Sequence, residues 1–148
     1  VREVVLRLGG YRLALGVYRN HPGGVEDDDI YWRLTQAGWT GVYNPEIVIY
    51  HKVPQHRLTK RYHRRWHSGH GRYYAAMRRP GVEASRYRLL DVPGHVYRQL
   101  LVHAGGWGRA MLGADSLRAF SHELEMRFLL GFIRERWRTF LSRTPGPV

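Results

Sequence analysis

The segment GGVEDDDIYWRLTQAGW, residues 23–39, places four consecutive carboxylates directly before a helical pattern. Over 27–37 the acids occupy the first turn, and Gly38 follows as a stop signal. The apolar positions recur at spacings of four and three: Ile30, Leu34 and Ala37. The sequence therefore predicts a helix with signals at both of its ends.

The run Glu26 to Asp29 has two interpretations. Carboxylates at a helix start accept hydrogen bonds from free backbone N–H groups and face the positive end of the helix dipole, which is a structural role. Four adjacent like charges repel one another, so the run also predicts a compensating cation, a metal or a neighbouring group. Gly23 and Gly24 allow a substrate to approach the backbone closely, and an ionised carboxylate on such a turn can act as a general base.

The composition favours polyanionic partners. The 148 residues include 24 Lys and Arg against 12 Asp and Glu, which gives a net charge of +12, and such a charge suits nucleic acid, anionic lipid or phosphorylated ligands. The absence of cysteine excludes disulfides, thiolate metal sites and cysteine nucleophiles. No signal sequence and no run of about 18 apolar residues is present, so we expect neither secretion nor a membrane span. The start at VREVV without methionine suggests the back part of a longer protein.

Local patterns predict the other elements. Residues 1–10 read as a short helix or strand, and residues 11–20 read as a loop before a turn at 21–24. Two short strands are expected at Gly41–Tyr43 and Ile47–His51, on either side of an Asn-Pro pair. Further helices are predicted at 57–79, at 95–112 and from Asp115 or Ser116 to about residue 142.

The block 47–82 contains no Asp or Glu but nine Lys or Arg and five His. Its helix carries an amphipathic stripe, within which Gly69 and Gly71 are expected to kink the axis. The stripe consists of Leu58, Tyr62, Trp66, Gly69, Tyr73 and Met77. The opposite basic face could lie on an anionic membrane, follow a nucleic-acid backbone, or be a solvated surface. The residues predicted to contact a membrane surface or another anion are Arg57, Lys60, Arg61, Arg64, Arg65 and Trp66.

Two smaller patterns carry alternatives. His63, His67 and His70 could share one helix face as metal ligands, but no carboxylate lies nearby in sequence, so basic aromatic surface residues are the preferred interpretation. The segment RERWR, residues 134–138, places two arginines four residues apart beside Trp137, an arrangement that would suit an interface.

Residues 23–51, GGVEDDDIYWRLTQAGWTGVYNPEIVIYH, closely resemble the C-terminal half of the catalytic domain of family 2 glycosyltransferases, which have the GT-A fold. In that family a Gly-Gly-Glu-Asp-x-Asp segment opens a helix ending in Arg-Leu-x-x-Ala-Gly, and Asn/Val-Pro and a strand-terminal His follow. The matching residues are Glu26, Asp27, Asp28, Asp29, Arg33, Leu34, Ala37, Gly38, Asn44, Pro45 and His51. Upstream, Arg2, Gly9, Gly10 and Tyr11 also match, whereas Val25 is an insertion.

The resemblance assigns roles to these residues. It implies that Asp27 is the general base that deprotonates the acceptor hydroxyl, with Glu26 beside it contacting the acceptor. Gly23, Gly24 and Asp28 would complete the acceptor contacts. His51 would help bind a divalent metal, Mg²⁺ or Mn²⁺, or the nucleotide diphosphate. Asp29 and Arg33 would cap and brace the helix.

The family's nucleotide-binding first half, with its Asp-x-Asp metal motif, has no counterpart here. The run 27–29 matches Asp-x-Asp literally, but because it starts a helix we assign it to the base motif. The expected fold class is α/β, the C-terminal portion of a GT-A (nucleotide-diphospho-sugar transferase) domain followed by amphipathic α-helices. The predicted regions are 1–54 for the acceptor side of that domain, 55–80 for the basic aromatic helix and 94–143 for a C-terminal helical region.

The expected function is inverting transfer of a sugar from a nucleotide-sugar donor to a glycan or lipid-linked acceptor in polysaccharide or glycolipid assembly. The protein is expected in the cytoplasm, peripheral on the inner face of the cell membrane, and this chain alone is expected to be inactive because its donor site is incomplete. The competing hypothesis is a non-catalytic basic module that binds nucleic acid or an anionic membrane. The resemblance favours the membrane over nucleic acid as partner.

Overall fold

Helices dominate the computed structural model, which describes residues 2–16 and 23–142. Its helices are α1 Arg2–Arg7, α2 Glu26–Gln36, α3 Lys60–Met77, α4 Pro80–Glu83, α5 Gly94–Leu112 and α6 Ser116–Leu141. Turns of 3₁₀ helix span Leu13–Leu15 and Gln55–Leu58. Strands β1 Arg88–Leu89 and β2 Val92–Pro93 pair antiparallel, with Arg88 opposite Pro93 and Leu89 opposite Val92.

The α/β fold class, and with it a GT-A architecture for residues 1–54, is wrong for the described chain. Within residues 2–16 and 23–142 the sheet content is the β1–β2 pair alone, and the chain is mostly helical. The segments predicted as strands, 41–43 and 47–51, form no ladder, and Val42 and Ile49 are 87% and 82% exposed. Residues that favour strands become strands when a neighbouring strand pairs with them and covers one face. The described residues offer these two segments no such neighbour.

Helix α6 is the centre of the packing, with α3 on one side and α5 on another. Their shared core consists of Ala75, Val92, Val96, Leu129, Phe132 and Ile133. Glycines set the approach of α3 to α6. A Cβ on Gly71 would lie 2.0 Å from the Phe128 carbonyl oxygen, and one on Gly131 would lie 2.2 Å from the Ser68 carbonyl oxygen. Only a residue without a side chain fits at either position.

Helix α3 runs from 60 to 77 without interruption, so Gly69 and Gly71, which are predicted to kink it, do not end it. Thr59 caps its start by accepting a hydrogen bond from the backbone N–H of Tyr62, and Arg78 ends it in the left-handed region at φ +54°. Gly71 allows the close approach of α3 to α6, because a glycine has no Cβ at the point of contact.

The helices predicted from periodicity at α2, α5 and α6 are confirmed. Asp115 is the N-cap of α6, where its carboxylate accepts a hydrogen bond of 2.9 Å from the backbone N–H of Arg118. Helix α5 continues through Gly105, Gly106 and Gly108, and Gly106 faces His122 of α6 at a distance that leaves no room for a Cβ. Packing on α6 thus outweighs the low helix propensity of glycine.

A second, smaller core of Leu15, Val25 and Met77 joins the N-terminal segment to the end of α3. Tyr73 and Tyr74 border this core, so the predicted stripe of α3 faces the interior at its C-terminal half. Among the residues that the structure describes, no helix has the length and apolar character needed to cross a membrane. The predicted turn residues His21 and Pro22 lie outside the described residues.

Candidate functional site

The four acids form the first turn of α2, but none of them is its N-cap. The N-cap is Val25, which is 2% exposed, and the helix start has no side-chain cap hydrogen bond. The backbone N–H of Val25 donates to the Leu15 carbonyl oxygen at 2.9 Å, which ties the helix start to the preceding 3₁₀ turn. The capping role expected for the carboxylates is therefore absent from this turn, and their presence needs another explanation.

Asp29 faces inward and is fully buried, and two arginines neutralise it. The Arg33 guanidinium donates to Asp29 Oδ2 from Nε at 2.9 Å, and its Nη2 lies 2.8 Å from the same oxygen. Arg12 Nη1 lies 3.3 Å from Asp29 Oδ1, at ion-pair distance but outside hydrogen-bond geometry. Arg33 also donates to the carbonyl oxygens of Leu8 and Gly10. The predicted bracing role of Asp29 and Arg33 is thus confirmed, and it extends to the loop after α1.

The other three acids lie toward solvent. Asp27 and Asp28 are exposed and Glu26 is half-buried beside Gly16. The backbone carbonyl of Asp28 accepts a hydrogen bond of 2.9 Å from Arg79 Nη2, which brings a cation from the far end of α3 to the acidic turn. One carboxylate therefore anchors the turn, while Asp27 and Asp28 are exposed and Glu26 is half-buried.

Gly23 holds this turn against α3. Its φ is +102°, and a Cβ there would lie 2.4 Å from the His70 backbone nitrogen and 2.6 Å from the Trp66 carbonyl oxygen. The Trp66 ring stacks on the His70 ring with centroids 4.6 Å apart and planes 11° apart. The glycine anticipated as a point of close backbone approach does approach closely, and the surface that it meets is the protein's own helix.

The structure does not bring His51 to the acids. His51 is exposed in the irregular segment between α2 and α3, and in the described part of the chain it has no hydrogen bond, ion pair or ring contact. Residues 2–16 and 23–142 contain no cluster of three or more His, Asp or Glu side chains that could hold a metal ion. The residues around His51 therefore do not fit a metal site by themselves, and we derive no step through a metal.

Some of the basic residues predicted to contact a membrane bind helix α6, and the others are exposed. Arg64 donates to both Glu123 oxygens at 2.7 and 2.8 Å, and this hydrogen bonding lowers the pKa of Glu123. Lys60 and Arg64 both lie over the Phe120 ring of α6. Arg57, Arg61 and Arg65 are exposed. Lys60 and Arg64 contact α6, whereas Trp66 is half-buried and stacks on His70 of its own helix, so the predicted six-residue set is not one outward face.

Sequence reasoning missed several buried or paired polar groups. Arg136 is 1% exposed and pairs with Glu83 and Asp91, and nothing in the local sequence distinguishes it from the exposed arginines near it. His103 and His122 pair through their Nδ1 atoms at 3.1 Å across α5 and α6. His70 is half-buried with an unpartnered Nδ1, so the surface interpretation of the three α3 histidines does not describe it.

Comparison with protein-family models, with curated proteins and with solved structures finds no match to this chain. The resemblance to family 2 glycosyltransferases therefore rests on the motif residues of segments 2–11 and 23–51.

Proposed function

We propose that this chain supplies the acceptor-side carboxylates of a nucleotide-sugar-dependent glycosyltransferase. In this proposal Asp27 is the general base, Glu26 and Asp28 contact the acceptor, and Gly23 and Gly24 shape the turn that presents them. The donor and its diphosphate would bind to residues beyond those described. The lipid-linked or glycan nature of the acceptor belongs to the proposal as well.

The different environments of the acids in the run 26–29 support this function. Asp29 is buried and bonded to Arg33, which is bonded in turn to two backbone carbonyls. Asp27, two residues earlier on the same turn, is exposed. A helix start needs one or two acids for its dipole, so the surplus acids at the surface lack a structural task. An anchored backbone with an exposed carboxylate is the arrangement that a positioned base requires.

The chemistry asked of Asp27 is a single proton transfer. As the acceptor oxygen attacks the anomeric carbon, its O–H bond breaks and the proton passes to the Asp27 carboxylate. The new C–O bond forms while the bond from the sugar to the diphosphate breaks, and the bonding electrons leave with the diphosphate. A base must be ionised and within hydrogen-bond reach of the hydroxyl to act in this way.

The experiment is sugar transfer by the full-length protein to membrane extracts that contain lipid-linked acceptors. Asp27→Asn keeps the shape of the side chain and removes its basicity, so we expect kcat to fall by about 10²- to 10⁴-fold, the usual contribution of a positioned base. Asp28→Asn should raise KM for the acceptor and change kcat far less. Glu125→Gln replaces an exposed carboxylate on α6 and serves as the control.

Near-normal kcat in Asp27→Asn would remove this residue from the base role. The competing class, a non-catalytic basic module, predicts no turnover with any donor and salt-sensitive binding of nucleic acid or anionic vesicles. The contacts of Lys60 with Phe120 and of Arg64 with Glu123 on α6 reduce the basic surface that such a module would use. Sugar transfer by the wild-type protein therefore distinguishes a glycosyltransferase from a non-catalytic basic module.

A further inference from the structure

A groove of about 590 Å³ runs between α3 and α6, on elements separate from the acidic turn. Arg72 of α3 and Arg127, Arg134 and Arg138 of α6 line it, together with Leu130 and Trp137. The α6 members at 127, 130, 134, 137 and 138 recur at spacings that place them along one side of a helix. Three residues of the RERWR segment, which is predicted to suit an interface, line one end of the groove: Arg134, Trp137 and Arg138.

The floor of the groove is apolar and fixed in position. Because Gly131 lies against the Ser68 carbonyl oxygen, the backbones of α3 and α6 are close there. The larger side chains on both helices line the groove above this contact. Leu130 is 50% exposed and Trp137 is 38% exposed, so both present apolar surface to the groove. The indole N–H of Trp137 donates to the Tyr97 hydroxyl at 2.9 Å, so the ring is held from the far side.

The rim carries more positive charge than its acids neutralise. Glu135 accepts from both Arg72 and Arg138, and Glu123 accepts from Arg127 at 3.3 Å while its shorter bonds go to Arg64, on the Phe120 side. Arg134 is exposed and has no ion pair or hydrogen bond with any residue in the described ranges. Four arginines therefore line the groove, and in the described chain only Glu123 and Glu135 are paired with them, so the rim has an excess of positive charge.

We propose that this groove binds the phosphate head of an amphiphilic ligand, whose apolar chain lies along Leu130 and Trp137. Guanidinium groups offer paired N–H donors that match the oxygens of a phosphate, and they lose less hydration than lysine when they bind it. A volume of this size fits a headgroup with part of a chain. Neither an inorganic anion nor a neutral chain would use both the rim and the floor.

This proposal does not rest on the proposed glycosyl transfer, so its test has no activity readout. Calorimetric titration with a short-chain alkyl phosphate, kept below its micelle concentration, measures the binding directly. Two control ligands each carry one of the two features. An alkyl maltoside has the same apolar chain without the phosphate, and inorganic phosphate has the charge without the chain. We expect the alkyl phosphate to bind at least about tenfold more tightly than either, because only it makes both the charged and the apolar contacts.

Two variants locate the site. Arg134→Gln removes a rim charge that has no partner among the described residues, so the fold should survive, and it should weaken alkyl phosphate binding about tenfold, the effect of one charge-assisted hydrogen bond. Arg98→Gln removes an exposed charge from α5, away from the groove, and should leave the affinity unchanged. Leu130→Ser should weaken the alkyl phosphate and leave inorganic phosphate binding as it was.

Vesicles that contain phosphatidic acid, compared with phosphatidylcholine vesicles, identify the source of the phosphate. If the protein binds the phosphatidic acid vesicles and Arg134→Gln weakens that binding, the ligand is a membrane lipid. If Arg134→Gln weakens only the binding of the free alkyl phosphate, the ligand is a dispersed molecule. Equal affinity for the maltoside and the phosphate would overturn the proposal. An equal loss in Arg98→Gln and Arg134→Gln would overturn it too, since it would show general attraction to a basic protein and no site.

Discussion

Arg33 connects more of the structure than its position in α2 suggests. Its guanidinium bonds to Asp29 on its own helix and to two backbone carbonyls in the loop after α1. A guanidinium can do this because its donors form a rigid fork, whereas lysine offers one point of charge. The acidic turn therefore depends on the loop before it as well as on the helix that it begins.

Asp29→Asn is expected to destabilise the protein by roughly 3 kcal/mol, because removing one member of a buried pair leaves the charge of Arg33 without its partner. Urea unfolding followed by circular dichroism measures the loss. Asp28→Asn is the matched control: the same change one position earlier affects an exposed carboxylate and should alter the free energy of unfolding by less than about 0.5 kcal/mol. Similar losses in both variants would show that Asp29 is not the anchor.

At the residue scale, sequence spacing predicts contacts within one helix and little beyond it. Asp29 and Arg33 are four apart on α2, so their pairing follows from helix geometry. The approach of Arg12 to Asp29, and of Arg79 to the Asp28 carbonyl, spans 17 and 51 positions. No local pattern encodes such distances. Asp27 and Glu26 were chosen by resemblance to a family, and their roles remain predictions.

Glycines set the geometry between α3 and α6, and they act in a different way from Gly108 of α5. Gly71 and Gly131 each face a carbonyl oxygen of the opposite helix at a distance that no Cβ can occupy. Gly108 of α5, by contrast, has nothing within 4 Å of the position its Cβ would take. The same residue type therefore permits contact between helices at Gly71 and Gly131, and merely lowers the helix propensity of α5 at Gly108.

Alanine substitution should consequently have opposite signs at these positions. Gly71→Ala or Gly131→Ala must separate α3 from α6, so each is expected to cost about 2 kcal/mol or more, as overpacking in a core does. Gly108→Ala should stabilise the protein by about 0.5–1 kcal/mol through helix propensity and reduced freedom of the unfolded chain. Thermal unfolding of the three variants side by side is the measurement. A stabilised Gly71→Ala would mean that the helices cross farther apart than described.

At the element scale, the periodic patterns predict the helices and fail for the sheet. The repeat of apolar positions and the cap at Asp115 depend on residues within one element, so α2, α5 and α6 follow from the sequence. A strand depends on its neighbours, and segments 41–43 and 47–51 remain unpaired despite their composition. The β1–β2 pair is too short for periodicity, and its turn uses positive φ at Leu90 and Asp91, of which only the aspartate is a residue type that favours such a turn.

Among the described residues of the whole molecule, several carboxylates each pair with more than one arginine. Glu123 joins Arg64 and Arg127, Glu135 joins Arg72 and Arg138, and Asp91 contacts three arginines. The Asp91 contacts are Arg78, Arg88 and Arg136. With a net charge of +12, losing any of these carboxylates removes an attraction and leaves the repulsion among cations. The groove on α6 exists within this excess of positive charge.

Stability should therefore fall as the pH becomes acidic. Hydrogen bonding from Arg64 lowers the pKa of Glu123 below its ordinary value of 4.5, and hydrogen bonding from Arg78 lowers the pKa of Asp91 below 3.8. A depressed folded-state pKa means that the unfolded chain takes up protons first as the pH falls. The stabilisation is thus complete above the ordinary values and is lost as the pH drops through the folded-state values. Thermal midpoints measured from neutral pH downward should decline most steeply in that window.

Glu123→Gln tests the assignment to a particular ion pair. The variant should have a lower midpoint than the wild type at neutral pH, and the two curves should converge at acid pH, where Glu123 of the wild type is protonated as well. Glu125→Gln, on the same helix and exposed, should follow the wild-type curve throughout. A Glu123→Gln curve that stays parallel to the wild type down to the lowest pH would assign the loss to packing, because an amide that fits poorly does so at every pH. Convergence would instead identify the carboxylate that joins α3 to α6 as a source of the acid sensitivity.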